Sequence, residues 1–282
     1  MNRSTGVPVR RGRHNSSFVR KYGPWGLVAG GSEGLGGAFA EELARRGLNL
    51  VMVARRKGPL EDLAAKVRSA HGVQVRTLAA DLSERASLAA VEREVADKEI
   101  GLLVCNAALA YTGVFLRAEL SEYQRMIEVN CASTLALVYS LGGKMTVRGH
   151  GGVIVMSSLA AFQGSPMVAG YGATKAFLVT LAEALADEWK PQGVDVMACC
   201  PAVVKTPAFL TDGHNPNGPT PMSMEPAEVA REAVAALGRK RIVVPGAMSK
   251  LAHFMMGRLM PRNMVVTIMG RSTRAMYAEK TK

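Results

Sequence analysis

Two kinds of segment that mark a membrane or secreted protein are missing from this chain of 282 residues. No run approaches the roughly 18 to 20 consecutive apolar residues of a membrane-spanning helix. Residues 1–21 are basic, contain no acid and lack the apolar core of a secretory signal. We therefore expect a cytoplasmic protein in which residues 1–21 form a basic, flexible tail.

Cysteine is scarce, and its four copies form no C-x-x-C pair. Cys105, Cys131, Cys199 and Cys200 all lie in apolar surroundings, and the last two would point to opposite faces of a strand. We interpret all four as small core residues in a reducing compartment, with neither a metal site nor a disulfide.

Acidic residues are scarce at both ends of the chain. Residues 239–282 hold ten Lys or Arg and one acid, whereas residues 22–238 hold 19 basic and 22 acidic side chains. The net charge of +12 therefore belongs to the two ends. Because no nucleic-acid motif accompanies this charge, we expect no nucleic-acid partner and leave open a contact with an anionic surface.

Short apolar or β-branched runs alternate with longer helical patterns along most of the chain. Strands that are apolar on both faces, separated by helices, predict a parallel sheet covered on both sides. We predict an α/β protein: a Rossmann-type doubly wound parallel sheet of about seven strands, forming a single catalytic domain over 22–248. The predicted strands are 25–30, 48–54, 73–80, 101–106, 152–158, 194–200 and 241–245.

Two segments depart from this alternation. Residues 202–226 contain five prolines and two glycines after a predicted strand, which indicates a lid loop at the ligand-binding edge of the sheet. Residues 249–282 form a basic, amphipathic C-terminal extension in which Pro261 should separate two short helices. Three roles stay open for this extension: packing on the domain or on a second subunit, covering an apolar substrate, or contacting an anionic membrane.

A glycine cluster directly follows the first predicted strand. Gly30, Gly34 and Gly36 form the pattern G-x-x-x-G-x-G where a helical pattern begins. Glycine lets the backbone turn tightly and approach a pyrophosphate, whose charge is met by the amides at the helix N-terminus. In this position the cluster predicts dinucleotide binding.

A tyrosine and a lysine stand four positions apart at the start of another helical pattern. Tyr171 and Lys175 therefore share one helix face. A phenol normally ionises near pH ~10, but a cationic lysine nearby stabilises the phenolate and lowers its pKa. Tyr171 could then give a proton to a carbonyl oxygen or take one from an alcohol. The same spacing also occurs by chance on many helices.

Taken in chain order, the motifs over residues 25–245 resemble those of the short-chain dehydrogenase/reductase family. AGGSEGLG resembles the family's TGxxxGxG, with Ala29 in place of Thr, and CNAA at 105–108 resembles NNAG. PAVVKTP at 201–207 resembles PGxVxT, with Ala202 in place of Gly. The N-terminal part is similar to the branch that includes 17β-hydroxysteroid dehydrogenases and long-chain 3-oxoacyl reductases.

The resemblance implies a catalytic set of Asn130, Ser158, Tyr171 and Lys175. Ser158 would hydrogen-bond the reacting oxygen, and Asn130 would hold a water that links Lys175 to solvent. Ser157 would turn away, since side chains alternate along a strand. Structural roles stay open as well, with Asn130 as a buried hydrogen-bonding anchor and Ser158 as a helix cap.

The end of the second predicted strand bears on the choice of cofactor. Ala54 stands where an NAD-selective site has an acid, and Arg55 and Arg56 follow with guanidinium groups that suit a 2′-phosphate. We therefore expect NADP(H) in preference to NAD(H), although Glu33 argues the other way. The cofactor-binding residues implied by the resemblance are Gly30, Ser32, Glu33, Gly34, Leu35, Gly36, Arg55, Arg56, Asp81, Leu82, Asn106, Ala107, Tyr171, Lys175, Pro201, Val204 and Thr206.

The expected substrate pocket is mostly apolar, which suits a bulky ligand. The sequence predicts an NADPH-dependent reductase of a hydrophobic ketone, steroid-like or 3-oxoacyl, that forms a homodimer or homotetramer. An NADP-linked alcohol dehydrogenase working in the oxidising direction and a non-catalytic nucleotide-sensing regulator are the alternatives. The predicted pocket residues, for each of which core packing stays open, are Tyr111, Ser158, Leu159, Ser165, Met167, Val168, Tyr171, Val203, Phe209, Met222 and Met224.

Overall fold

The computed structural model describes residues 16–211 and 222–277. Its described part contains a sheet of seven parallel strands in the order β3-β2-β1-β4-β5-β6-β7. The strands are β1 (Trp25–Ala29), β2 (Asn49–Ala54), β3 (Val75–Ala79), β4 (Ile100–Cys105), β5 (Gly151–Met156), β6 (Val194–Cys199) and β7 (Ile242–Val243).

Helices connect consecutive strands. Two π turns, Glu128–Ala132 and Val138–Gly142, join the fifth, sixth and seventh helices into one long helix between β4 and β5. The α-helices in the described ranges are α1 (Ser16–Tyr22), α2 (Gly34–Arg45), α3 (Lys57–His71), α4 (Arg85–Glu94), α5 (Leu120–Ile127), α6 (Ser133–Leu137), α7 (Gly143–Arg148), α8 (Ala169–Glu188), α9 (Pro207–Thr211), α10 (Pro226–Ala236), α11 (Ala247–Phe254) and α12 (Arg262–Met276).

Both faces of the sheet are buried under helices. Along β2, Leu50 and Met52 pack into the core beneath α2, α3 and α10, whereas Val51 and Val53 pack into the core beneath α4, the long helix and α8. Side chains alternate between the faces of a strand, so a strand covered on both sides must be apolar throughout. The predicted doubly wound α/β fold is confirmed.

The strand order reverses between β1 and β4. The chain passes from β1 outward to β2 and β3 and then crosses to β4 on the other side of β1. At such a point the loops that leave the carboxyl ends of the two strands diverge and open a crevice that ligands use. Gly30 follows β1 and Asn106 follows β4, so two of the predicted cofactor motifs end at this crevice.

Residues 16–22 form α1 and do not belong to a tail. Phe18 and Tyr22 are buried in the core, and the Tyr22 hydroxyl donates to Asp195 of β6 at 2.5 Å. The predicted tail over 1–21 is therefore wrong for residues 16–21, while residues 1–15 lie outside the described ranges. The prediction was made from the basic composition of the segment, which does not show that two of its aromatic side chains pack into the core.

The four cysteines are free, and three of them are buried in the core. Cys199 and Cys200 pack into the opposite cores of the sheet, as the strand pattern predicted. Cys131 is only half-buried, so its interpretation as a core residue is wrong. It lies on the π turn of the long helix, one residue beyond the buried Asn130.

The two segments that interrupt the alternation adopt defined structure where they are described. A bridge between Val204 and Met224 closes the base of the predicted lid loop, and residues 212–221 of that loop lie outside the described ranges. The C-terminal extension forms α11 and α12 with the break at Pro261, as predicted. In the described part of the chain, no helix has the length and apolarity needed to span a membrane.

Candidate functional site

The turn between β1 and α2 brings the chain very close to its neighbours. A Cβ atom on Gly30 would lie 2.7 Å from the main chain of Ala107, and one on Gly36 would lie 1.8 Å from the Gly30 carbonyl oxygen. Gly30 also has φ +82°, which favours glycine. The Asn106 Nδ2 group donates to the Gly30 carbonyl at 2.9 Å and joins the two motifs across the crevice.

The first turn of α2 has no side-chain cap. Glu33 is the N-cap residue, but its carboxylate accepts no hydrogen bond from the helix and instead pairs with Arg56. Uncapped amides at a helix N-terminus, together with the helix dipole, attract an anion. Thr206 lies beside Gly34, with its side chain 3.1 Å from the position of an added Cβ. These groups fit a dinucleotide pyrophosphate.

The guanidinium groups that follow β2 are both exposed. Arg56 pairs with Glu33, whereas Arg55 makes no ion pair with any described residue. Ala54 is buried and places no carboxylate at this end of the strand. The donors at this edge therefore fit a 2′-phosphate, with Arg55 the freer of the two arginines.

Asp81 follows β3 and is held by hydrogen bonds. Burial alone would raise the pKa of Asp81, but bonds from the Ser83 amide and hydroxyl and from Arg125 at 2.8 Å hold that pKa below its usual range. Leu82 is buried beside it. Asp81 is thus a fixed anion, and the adenine contact expected of this pair stays a prediction.

The remaining predicted cofactor residues lie at the same edge of the sheet. Ser32 and Leu35 belong to the glycine turn and the first turn of α2, and both are half-buried. Pro201 follows β6, and its carbonyl accepts from the Leu159 amide at 3.0 Å. Val204 accepts from the Thr206 amide at 2.8 Å. The structure therefore gathers the predicted cofactor motifs around one crevice.

Tyr171 and Lys175 share the inner face of the first turns of α8. The Lys175 Nζ lies 5.5 Å from the centre of the Tyr171 ring and donates to the Met156 carbonyl at 2.8 Å. Burial lowers the pKa of Lys175 to about 8, against a smaller opposing effect of the Cys131 and Cys200 thiols. At pH 7 the ammonium is therefore still mainly protonated, as the predicted activation of the tyrosine requires.

The Asn130 side chain is a buried anchor. Its amide oxygen accepts from the Leu109 amide at 2.7 Å, and its Nδ2 group donates to the Leu109 carbonyl and to Thr174 Oγ1 at 2.8 and 3.0 Å. These bonds tie the chain after β4 to the helix that carries Lys175. These three bonds show the structural role that stayed open for Asn130, while the water-holding role stays a prediction.

The two serines after β5 have different hydrogen-bonding partners, and Ser158 caps the short helix Leu159–Ala161, a role that the sequence left open. Ser158 Oγ accepts from the Ala160 amide at 3.2 Å, and a hydroxyl used as an acceptor keeps its proton for a reacting oxygen. Ser157 does turn away from Ser158, but its hydroxyl donates to the Lys175 carbonyl at 2.8 Å. Sequence reasoning missed this support of α8, because nothing local to Ser157 indicates a partner in another element.

An apolar cluster packs with Tyr171 and includes five of the eleven predicted pocket residues. Two of its members, Met276 and Tyr277 at the end of α12, were not predicted. The helical spacing of Val265, Met269 and Met276 indicates that one face of α12 is buried, but the sequence does not show which part of the protein that face packs against. The cluster, termed the Tyr171 cluster below, consists of Met167, Val168, Tyr171, Val203, Phe209, Met276 and Tyr277.

Met167 has an unusual backbone at the rim of this cluster. Its φ of +69° is strained for a residue with a side chain, and such strain persists only where the surrounding structure enforces it. Its carbonyl accepts from the Gly113 amide at 2.8 Å, while Ser165 Oγ lies 3.0 Å from Thr273 Oγ1 of α12. The chain before Tyr171 is therefore fixed from two sides.

Four of the hydrophobic residues predicted for the pocket lie outside the Tyr171 cluster, and their contact with a substrate stays a prediction. Leu159 belongs to the core beneath α8, and Tyr111 packs edge-on against Tyr123 with 5.5 Å between ring centres. Met222 and Met224 border the lid loop, and Met224 packs against the core beneath α10. None of these four belongs to the Tyr171 cluster. In the described ranges, no group of His, Cys, Asp or Glu is arranged to hold a metal ion.

Comparisons with known proteins agree with this geometry. The family model described as short chain dehydrogenase matches residues 25–216. The 7beta-hydroxysteroid dehydrogenase of Clostridium sardiniense is 30% identical over 255 residues, which cover 90% of this chain and 97% of that protein.

Two solved structures superpose over most of the chain. One, from work on 7beta-hydroxysteroid dehydrogenase stereoselectivity, has a TM-score of 0.84 and 30% identity, and the match covers 89% of this chain and 98% of that chain. A short-chain dehydrogenase from Sphingobium yanoikuyae in complex with NADPH has a TM-score of 0.73 and 32% identity, over 84% of this chain and 96% of that chain.

Proposed function

Because the chain belongs to the short-chain dehydrogenase family, we propose that it reduces a hydrophobic ketone with NADPH. Membership of this family makes the chain an NAD(P)-dependent oxidoreductase that acts on CH–OH and C=O groups. Its similarity to 7beta-hydroxysteroid dehydrogenase places it in the branch that includes hydroxysteroid dehydrogenases. One observation carries the proposal further than the family does. The half-buried Tyr171 lies against a buried, cationic Lys175 on one side and an apolar cluster on the other.

Each polar residue of the site has a defined task in this reaction. The bound nicotinamide supplies the hydride. Tyr171 gives its proton to the carbonyl oxygen, and the positive charge of Lys175 lowers the pKa of the phenol for that transfer. Ser158 donates to the same oxygen as negative charge develops on it. Asn130 and Ser157 hold α8, and with it Lys175, in place.

The cofactor proposal rests on the groups around the crevice. The amides at the start of α2 would hold the pyrophosphate, and Arg55 with Arg56 would hold a 2′-phosphate. Asn106 and Ala107 would border the nicotinamide half, and Asp81 with Leu82 would border the adenine. The NADPH complex of the Sphingobium yanoikuyae relative supports the choice of NADP(H).

The substrate proposal rests on the Tyr171 cluster. Two methionines and aliphatic or aromatic side chains beside the proton donor suit a large apolar ketone. The relative named 7beta-hydroxysteroid dehydrogenase favours a steroid over a 3-oxoacyl chain. A panel of steroid ketones and 3-oxoacyl thioesters, followed by NADPH oxidation, would separate the two classes.

Substitution of the proton donor tests the proposed chemistry. Tyr171→Phe keeps the ring and removes the acidic proton, so turnover should fall by ~10² or more while NADPH binding persists. Tyr139→Phe is the matched control, because Tyr139 is 82% exposed and lies on the long helix away from the crevice. Near-normal turnover of Tyr171→Phe would contradict the assignment of the acid.

Two surfaces carry proposals about assembly and location. Exposed apolar side chains on the long helix and on α8 support a homodimer or homotetramer.

The C-terminal helices α11 and α12 also expose apolar side chains, and residues 247–277 contain basic but no acidic residues. This combination supports reversible contact with an anionic membrane.

A further inference from the structure

An acidic side chain occupies an unexpected position in the proposed phosphate site. Glu33 is the residue before Gly34 in the glycine turn, and its carboxylate pairs with Arg56. The carboxylate does not cap α2, although an acid at this position commonly does. Its partner is one of the two arginines that the proposed function assigns to a 2′-phosphate.

The pair lies beside an open cleft between the glycine turn and α3. The cleft has a volume of about 370 Å³, and its charged lining is Glu33, Asp62 and Lys66. Two carboxylates and one ammonium therefore face the space next to Arg56. The positive charge that can attract a dianion here comes from the exposed Arg55 and from Arg56, and Arg56 is the one already paired with a carboxylate.

We infer that Glu33 is a specificity-determining residue of the dinucleotide site, because it competes with the 2′-phosphate for Arg56 and so lowers the preference for NADP(H) over NAD(H). The inference rests on the proposed function, since it requires a dinucleotide at the glycine turn. Glu33 acts through Arg56 and is thus a positioning residue for the phosphate-binding guanidinium.

The physical argument is a competition between two anions for one cation. The Glu33 and Arg56 side chains are 40% and 59% exposed, and an ion pair between groups so exposed is weak. A 2′-phosphate carries more charge than a carboxylate, so it displaces Glu33 from Arg56. Binding of the 2′-phosphate therefore includes the cost of breaking the Glu33–Arg56 pair. A nucleotide without the 2′-phosphate leaves the pair intact.

Nucleotide binding, measured by isothermal titration calorimetry on the full chain, tests the inference without any turnover. The probes are adenosine 2′,5′-bisphosphate and adenosine 5′-monophosphate. Glu33→Gln should lower the dissociation constant of the bisphosphate by ~2- to 5-fold, as expected when an exposed ion pair of ~0.2–1 kcal/mol no longer has to be broken, and should change that of the monophosphate by less than ~2-fold.

A double-mutant cycle shows whether Glu33 acts through Arg56. The gain from Glu33→Gln should disappear when Arg56→Gln is already present. Glu41→Gln is the matched control, because Glu41 also joins α2 to α3, through His71, but at the opposite end of the helix pair. It should leave both dissociation constants unchanged.

Several results would overturn the inference. These are an unchanged ratio of the two dissociation constants in Glu33→Gln, an equal gain for both nucleotides, an equal gain in Glu41→Gln, and a gain that persists with Arg56→Gln. Absence of nucleotide binding in every variant would overturn it as well. If no ketone is reduced, the proposed reaction is contradicted instead. The ratio of the two nucleotide dissociation constants does not depend on turnover and would still test the role of Glu33.

Discussion

At the scale of single residues, the site depends on the buried ammonium group of Lys175. Lys175 is 3% exposed, and burial disfavours its ammonium form, which lowers its pKa to about 8. The groups that face it are the Tyr171 ring, the Met156 carbonyl and the thiols of Cys131 and Cys200. Lys175 therefore carries its charge at neutral pH and loses it at mildly alkaline pH.

The lowered pKa of Lys175 predicts how ketone reduction depends on pH. A lysine is charged below its pKa, so kcat/KM for reduction should be constant below about pH 7 and fall as the pH rises through about 8. The measurement is a pH profile of kcat/KM with NADPH in excess. Lys175→Arg stays charged throughout this range, so its alkaline decline should begin at higher pH. A wild-type profile that stays level up to about pH 9.5 would contradict the assignment.

At the scale of elements, α12 is the least expected part of the site. Its inward face includes Val265, Gly270, Thr273 and Met276, all of them buried. A Cβ on Gly270 would lie 3.2 Å from Pro166, so this helix packs tightly on the chain that leads to Tyr171. The C-terminal extension thus packs on the domain beside the Tyr171 cluster, which is the first of the three roles that the sequence left open.

Removal of one methionine tests α12 as a cover. Met276→Ala opens the Tyr171 cluster, so kcat/KM for a bulky ketone relative to a small one should change by ~10-fold, the scale of a few methylene contacts in an apolar pocket. Met264→Ala is the control, since Met264 is exposed on the same helix. Deletion of a buried methionine also costs ~2–5 kcal/mol of unfolding free energy. Assays should therefore be run well below the melting temperature of each variant. An unchanged ratio would show that Met276 does not contact the substrate.

The outward side of the extension supports a different prediction. Arg258, Arg271 and Arg274 make no ion pair with any described residue, and Leu251 and Phe254 are more than half exposed. A basic residue near an anionic membrane contributes about 1 kcal/mol, so the replacement of all three arginines by Gln should weaken binding by ~10²-fold. Co-sedimentation with phosphatidylglycerol/phosphatidylcholine vesicles over a range of salt measures this loss.

A charge-matched variant controls that experiment. Arg76, Arg85 and Arg117 are exposed outside the extension, and their replacement by Gln removes the same charge. This variant should sediment like the wild type. Equal loss in both triple variants would indicate attraction by net charge alone, and no vesicle binding by the wild type would eliminate membrane contact.

At the scale of the whole molecule, one apolar surface lacks a partner within the described chain. Leu135, Tyr139 and Val147 are 45%, 82% and 90% exposed along the long helix, and Phe177 of α8 is 41% exposed. Exposed apolar side chains repeated along one helix are typical of an interface. Two copies related by a twofold axis would cover it on both subunits at once.

A charged substitution on the long helix tests this assembly. Val147→Glu places an acid in the expected interface, so light scattering at micromolar concentration should show a shift from dimer or tetramer towards monomer. Leu116→Glu introduces the same charge at a side chain that is also 90% exposed but lies outside the long helix, and should leave the mass unchanged. A monomeric wild type at that concentration would contradict the proposal.

The sequence by itself determined the layered fold and the positions of its motifs. The predicted strand over 48–54 is observed as Asn49–Ala54, and the strand over 194–200 as Val194–Cys199. Strand and helix periods are local properties, written in side chains a few residues apart. For the same reason, the spacing of Tyr171 and Lys175 was enough to place both on one helix face.

Only the tertiary structure decided which distant segments meet. Phe18 joins the core from a basic segment, Met276 packs with Tyr171, and Glu33 pairs with Arg56 across two turns. In each case the local pattern shows a side chain that can be buried or paired, and several partners would satisfy it equally well. The choice follows from how helices pack on the twisted sheet, because close packing admits one arrangement of the whole chain.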